Sequence, residues 1–226
     1  MIQQLEVIYE DADIMLVYKP AGIATQTKNM MQPDMERMIK NYRAQKKEAI
    51  YVGVVHRLDQ PVEGLMIFAK NQKAAASLSK QVQGRMIGKH YYAVAQGQPS
   101  SSKGQLKNLL LTDKKTNVTK VVEEKSIFPD AKEAILDYTV IKEQEGYTLF
   151  DICLGTGRQH QIRVQLANIG CPIVGDLKYG PTAEGSNRNG KFPALCSYRL
   201  QFVHPTTGKE MDVSIMPKGE AFQIFQ

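Results

Sequence analysis

The nine residues from His56 to Gly64, HRLDQPVEG, do most to fix what this chain can fold into. They lie between two short apolar runs, Val52 to Val55 and Leu65 to Ala69, neither of which alternates polar with apolar residues. Such runs predict strands buried on both faces. The joining loop is then anchored at both ends, with Pro61 restricting the backbone and Gly64 freeing it. Catalytic groups are commonly mounted on loops of this kind, because the strands fix position while the loop exposes side chains. Asp59 is therefore the leading candidate for chemistry.

A chain of 226 residues can form one large domain or two small ones. Lys and Arg number 29 against 23 Asp and Glu, a net charge of +6. That balance suits a polyanionic partner as well as a generic basic protein. The opening MIQQLEVIYEDAD lacks the basic start and apolar core of a secretion signal. No apolar run approaches the roughly 20 residues that cross a bilayer, so the expectation is a cytoplasmic protein without membrane attachment. Cys153, Cys171 and Cys196 are widely separated and form no CxxC pair, which predicts neither a disulfide framework nor a zinc site.

Leu5 to Tyr9 and Ile14 to Tyr18 read as strands split by a turn, and Lys19-Pro20-Ala21-Gly22 stops the second. After Pro33 the segment MERMIKNYRAQKK predicts a helix with proline in its first turn and a basic last turn. Met35, Met38, Ile39 and Tyr42 form its packing stripe. A second helix runs from a cap at Asn71 to about Gln83, with Gly84 just beyond, and Tyr91 to Ala95 follows as a strand. From Gly97 to Lys125 the chain is polar, with lysines at 103, 107, 114, 115 and 120. This predicts hairpins or a mobile arm, either a solvated surface or an RNA contact. Ala134 to Lys142 and Tyr147 to Leu154 read as a hairpin about KEQEG. Gln159 to Ile169 reads as a helix ended by Gly170, on which Ile162, Leu166 and Ile169 are buried and His160 and Arg163 share another face. Pro172 to Gly180 and Leu195 to Ile215 supply further strands and turns, and Thr182 to Lys191 is a loop by composition.

His56, Asp59 and His160 have metal-ligand chemistry, but no HxH or HxxxH spacing and no partner cysteine supports a metal site. A serine hydrolase would need a GxSxG elbow, which is missing. The turn GTGRQHQ, Gly155 to Gln161, could offer backbone N–H groups to a phosphate, as in a phosphate-binding metabolic enzyme, but lacks the lysine and spacing of a P-loop. On residue types alone Asp59 is equally a structural carboxylate paired with an arginine.

HRLD followed by Gly64 to Lys70, GLMIFAK, together with Thr156 to Gly180, TGRQHQIRVQLANIGCPIVGDLKYG, resembles the RluA-type family of RNA pseudouridine synthases. The likeness extends to Asp13 to Gly22, to Lys89-His90-Tyr91-Tyr92-Ala93, to Lys132-Glu133-Ala134 and to Leu200 to Gly208, in order along the chain. It implies an α+β catalytic fold, a bent, mostly antiparallel mixed β-sheet flanked by helices. It implies one catalytic domain over 1–226 without an N-terminal S4-like domain, acting as a monomer, with no cofactor and no metal, on structured rRNA or tRNA. Asp59 would be the catalytic carboxylate, Tyr91 the aromatic residue against the uracil, and Arg163 the cation paired with Asp59. Arg57 would fill the space left by the extruded base. His56, Arg158, His160, Lys19 and Lys178 would join the substrate-binding set, with Lys19, Arg158 and Lys178 on RNA phosphates. Val62-Glu63 stands where relatives commonly carry Thr-Ser, and Gln165 where they carry His. Glu63 thereby puts a negative charge near the expected RNA path, which motivates a rival reading: an RNA-binding or chaperone protein that keeps the fold without the activity.

Overall fold

The computed structural model describes residues 4–29, 31–180 and 192–225. Its contacts group into two compact units, Met1–Gly88 with Ser197–Met216, and Lys89–Cys196 with Pro217–Gln226. Thr182 to Lys191, expected as a loop, lies outside the described residues.

The first unit contains, in chain order, β1 (Glu6–Glu10), β2 (Ile14–Lys19), α1 (Met35–Gln45), β3 (Gly53–Val54), β4 (Glu63–Ala69) and α2 (Gln72–Gln83). The second contains β5 (Gly88–Gln96), β6 (Lys103–Asp113), β7 (Val118–Val122), β8 (Lys132–Gln144), β9 (Tyr147–Leu154) and α3 (Gln161–Asn168). The chain then returns through β10 (Leu195–Val203) and β11 (Glu210–Ser214) to the first unit, and ends in a short 3-10 helix, Glu220–Phe225, in the second.

In the first unit the strand order is β1-β2-β4-β10, with β3 added to β4 and β11 to β10. Every residue of β2 except Tyr18 is fully out of water, and all seven residues of β4 are buried. The absence of alternation in both strands thus has its expected cause. Ala74 and Leu78 of α2 cover one face of these strands, packing with Ile14, Leu16, Leu65 and Ile67. Helix α1 starts on Asp34, whose side chain accepts the Arg37 N–H at 2.8 Å. Pro33 therefore precedes the cap and is not in the first turn. Asn71 caps α2 by accepting the Ala74 N–H at 2.9 Å. Gly84 ends that helix as expected, but the left-handed residue is Arg85, with φ of 56°.

In the second unit the order is β5-β9-β8-β6-β7, with antiparallel ladders β5/β9, β9/β8, β8/β6 and β6/β7. The turn between β8 and β9 is Glu145-Gly146, both left-handed at φ of 53° and 79°, a geometry that matches strand twist. The polar stretch after Gly97 forms the β6/β7 hairpin. Two expectations fail here. Pro172 to Gly180 forms turns with one bridge, Ala95 to Ile173, and no strand. Helix α3 is shorter than its pattern predicts, and six consecutive residues, Gln161 to Leu166, are buried. A helix enclosed all round carries no readable stripe. The result is the α+β class, with three α-helices among the described residues.

Candidate active site

Asp59 sits in the link between β3 and β4, whose strands pair Val54 with Phe68 and Gly53 with Ala69. Its carbonyl accepts the Val62 N–H at 3.0 Å, closing a four-residue turn. Both sequence neighbours are pinned. Leu58 exchanges hydrogen bonds with Thr25 Oγ1, which donates to its carbonyl at 3.1 Å and accepts its N–H at 3.3 Å. The Gln60 carbonyl accepts from Lys19 Nζ at 3.0 Å and from the Gly22 N–H at 2.9 Å, and its side chain donates to Gly22 O at 3.0 Å. Gly22 has φ of 89°, which a side chain would disfavour. The Lys-Pro-Ala-Gly turn therefore holds the Asp59 loop, and the Asp59 carboxylate is left half-buried on a fixed backbone.

Lys19 has a role the sequence did not suggest. It was expected to reach an RNA phosphate, but its exposure is 0%. Its three N–H groups go to the carbonyls of Pro20 at 3.0 Å, Ile23 at 2.6 Å and Gln60 at 3.0 Å. Burial pushes its pKa down to about 7, and the Asp59 and Glu63 carboxylates oppose that fall. Glu63 is the first residue of β4, buried, and accepts a hydrogen bond from the Tyr18 hydroxyl. Its charge thus faces a buried ammonium. His56 accepts the Ile67 N–H on Nε2 at 3.1 Å, so that nitrogen braces the hairpin and is not offered to a substrate. Arg57 is exposed and donates to Gln26 Oε1 at 2.9 Å.

In the second unit Tyr91 is buried in β5 opposite Ile152. Arg163, on α3, makes a two-pronged pair with Asp176, Nε to Oδ2 and Nη2 to Oδ1, both at 2.7 Å. Asp176 also accepts the N–H groups of Lys178 and Tyr179 at 2.9 Å and 3.2 Å. Burial would raise the Asp176 pKa, but Arg163 and these N–H groups outweigh it and hold it below the ordinary value. The guanidinium lies 5.1 Å from the centre of the Tyr179 ring. Tyr179 Oη takes the Thr119 N–H at 2.8 Å and bonds His160 Nδ1 at 2.6 Å. His160 does not share a helix face with Arg163: it is the residue before α3, left-handed at φ of 53°, and buried.

The turn before α3 uses three of its backbone donors internally. The N–H groups of Gly155 and Thr156 go to Ile135 O, and that of Arg158 to Gln161 Oε1. These three N–H groups are therefore not offered to a phosphate. Arg158 Nε donates to Glu133 O at 2.9 Å, and Lys178 Nζ to Asn117 O at 2.8 Å. Asp176 and Tyr179 escaped the sequence reading because both look like surface residues of a polar turn. The signal was that they flank Lys178 in the motif that also carries Arg163.

Asp11, Asp13 and His204 also come together, with ligand-type atoms within 4.8 Å. His204 Nδ1 accepts the N–H groups of Thr206 and Thr207 at 3.3 Å and 3.1 Å. Nε2 then carries the proton and donates to Asp11 Oδ2 at 2.8 Å. The ring has no lone pair left for a cation, and this cluster is a hydrogen-bond network.

Residues 13–168 match the model of a family described as RNA pseudouridylate synthase. The chain is 33% identical to an uncharacterised RNA pseudouridine synthase, YhcT, of Bacillus subtilis, over 90% of this chain and 66% of that protein. It is 32% identical to the ribosomal large subunit pseudouridine synthase D of Haemophilus influenzae, over 92% of this chain and 66% of that protein. The chain thus spans about two thirds of the length of the curated relatives it matches. Among solved structures it is similar to human RNA pseudouridylate synthase domain containing 4, with a TM-score of 0.77 and 20% identity over 97% of this chain and 92% of that one. Human RNA pseudouridylate synthase domain containing 1 gives a TM-score of 0.79 at 20% identity, over 96% and 85%. At that identity the structures establish the shared fold.

Proposed function

This chain belongs to the RNA pseudouridylate synthase family, and from that premise we propose that it isomerises uridine in structured RNA to pseudouridine, with Asp59 as the catalytic carboxylate. The observation that carries the reading is Asp59 itself: a half-buried carboxylate inside the family match, on a loop whose residues on either side are tied to the 19–25 segment.

The chemistry is an exchange of one glycosidic bond for another. The bond from N1 to the sugar C1′ breaks, the freed uracil turns, C5 bonds to C1′, the C5 hydrogen leaves as a proton, and N1 takes a proton up. No redox step is involved, which fits a reaction without a cofactor. Asp59 adds to the base or assists at the sugar, and a fixed backbone is what either role needs. The uridine must leave its stack at a cost of a few kcal/mol, offset by stacking against Tyr91. Arg163, held by Asp176 and Tyr179, is assigned by the family resemblance as the cation that pairs with Asp59. Arg57, exposed beside the loop, is assigned to the space the base vacates.

The printed name of the Haemophilus relative refers to the large ribosomal subunit, and rRNA or tRNA is the substrate class we propose here. No described helix is long and apolar enough to cross a membrane, and a monomer working in the cytoplasm is part of the same proposal. The rival, an RNA-binding or chaperone protein that keeps the fold without the activity, rested on Val62-Glu63. Glu63 is buried against Tyr18 and near Lys19, so its charge is spent inside the protein.

The test is tritium release from RNA labelled at uridine C5, using rRNA and tRNA fractions from a strain lacking this protein. Release from one fraction, mapped to a defined uridine, is expected. No release from any fraction would overturn the proposal.

A further inference from the structure

Lys89 lies near the start of β5, and alternation along the strand puts it on the same face as Tyr91 and Ala93. The β5/β9 register sets His90 opposite Cys153 and Tyr91 opposite Ile152. Lys89 is therefore level with the end of β9, where the chain turns through Gly155, Thr156 and Gly157. A side chain on Gly157 would meet Lys89 Nζ at 3.5 Å. Glycine at that position leaves the flank of the ammonium uncovered. Lys89 is half-buried, and among the described residues its Nζ has neither a hydrogen bond nor an ion pair. Burial lowers its pKa, and among the described residues no carboxylate opposes that fall.

An ammonium drawn partly out of water without a counter-charge is unfavourable, and a bound anion removes that cost. The contrast with Lys19 sharpens the point. Lys19 is more deeply buried but spends all three donors on carbonyls and faces two carboxylates. Lys89 has no such employment. The neighbouring turn has spent the N–H groups of Gly155, Thr156 and Arg158 internally, so they do not compete with the ammonium for an anion arriving here.

We propose that Lys89 is a substrate-binding residue whose ammonium takes a phosphodiester oxygen of the RNA, at the nucleotide whose base stacks on Tyr91. The assignment rests on the RNA reading above and deepens it. A lysine is a compact point charge on a flexible stem and suits a phosphate better than a planar base edge. Its place on the Tyr91 face means the contact forms when the uridine is seated, which ties backbone grip to base position.

The experiment measures binding of unmodified ribosomal RNA, transcribed in vitro, across a series of salt concentrations, whether or not turnover is seen. Each phosphate contact adds about 0.7 to 0.9 to the slope of log affinity against log salt. Lys89→Gln is expected to weaken binding about tenfold at moderate salt and to lower that slope by one contact. Lys89→Arg is expected to keep the slope. Gly157→Leu leaves the charge in place but covers it, and is expected to lower the slope as Lys89→Gln does. A wild-type slope in Lys89→Gln would overturn the inference even if affinity fell, because it would make the contact one to a neutral base atom. Wild-type protein without salt-dependent RNA binding would overturn this inference together with the reading it rests on.

Discussion

At the residue scale the informative groups are the buried charges. Lys19 sits at about pH 7 in the fold against an ordinary value of 10.5. The sign follows: between those limits the unfolded chain binds the more protons at this residue, so its contribution to stability rises with pH. Isotope-labelled lysine resonances should show one side chain titrating near pH 7. Glu63→Gln removes one of the two carboxylates that oppose the fall, so the midpoint should drop by about one unit or more; an unchanged midpoint would show that Glu63 does not act on Lys19. Asp176→Asn tests the other pair. It leaves the Arg163 guanidinium facing an amide, and loss of aim of this kind costs on the order of a hundredfold in rate. We expect that loss in single-turnover rate at saturating RNA, with Tyr179→Phe, which keeps the ring, losing less. The sequence singled out Asp59 and Arg163 as candidates, because each stands in a motif that resembles the family's. It misplaced Lys19, because a lysine is read as surface-bound unless its partners are visible, and here the partners are backbone carbonyls from residues up to 41 positions away.

At the element scale, the β3/β4 hairpin is what presents Asp59. The two strands were expected to be alike, but β3 is a two-residue strand and β4 a fully buried seven-residue one. The apolar run over 52–55 was real, yet its pairing with β4 extends over Gly53 and Val54 alone. Gly64 is the tight point. It has φ of +130°, and a Cβ there would meet the Ser197 backbone at 2.4 to 2.8 Å. Gly64→Ala should therefore cost about 3 kcal/mol or more, since backbone cannot yield as a side-chain tip can. Gly146→Ala is the control: its φ is +79° but no described residue would meet a side chain there within 4 Å, so the cost should be left-handed strain alone, about 1–2 kcal/mol. Equal urea midpoints for the two variants would contradict this account. Helix α3 marks the limit of pattern reading, since enclosure on all sides removes the stripe from which its face would be inferred.

At the scale of the whole molecule, acid stability depends on carboxylates held in their charged form. Burial would raise the Glu10 pKa, but hydrogen bonds from Lys70, Lys46 and Tyr42 hold it at about 2. Asp176 is likewise held low by Arg163 against the effect of burial. Groups depressed in the fold stabilise it above their unfolded values and lose that effect as pH falls toward the folded ones. The urea midpoint should thus fall between about pH 4.5 and 2, and Glu10→Gln should flatten part of that fall. The α+β class and the element order were legible because the motifs run in sequence along most of the chain. The hydrogen bonds that fix the site were not, because they join segments distant in sequence through backbone groups that carry no residue signature. The central claim is that one carboxylate on a pinned loop does the chemistry. Tritium release by Asp59→Asn, measured beside its RNA affinity, tests it most directly. We expect release to vanish while binding survives; sustained release by Asp59→Asn would show that the essential carboxylate is not Asp59.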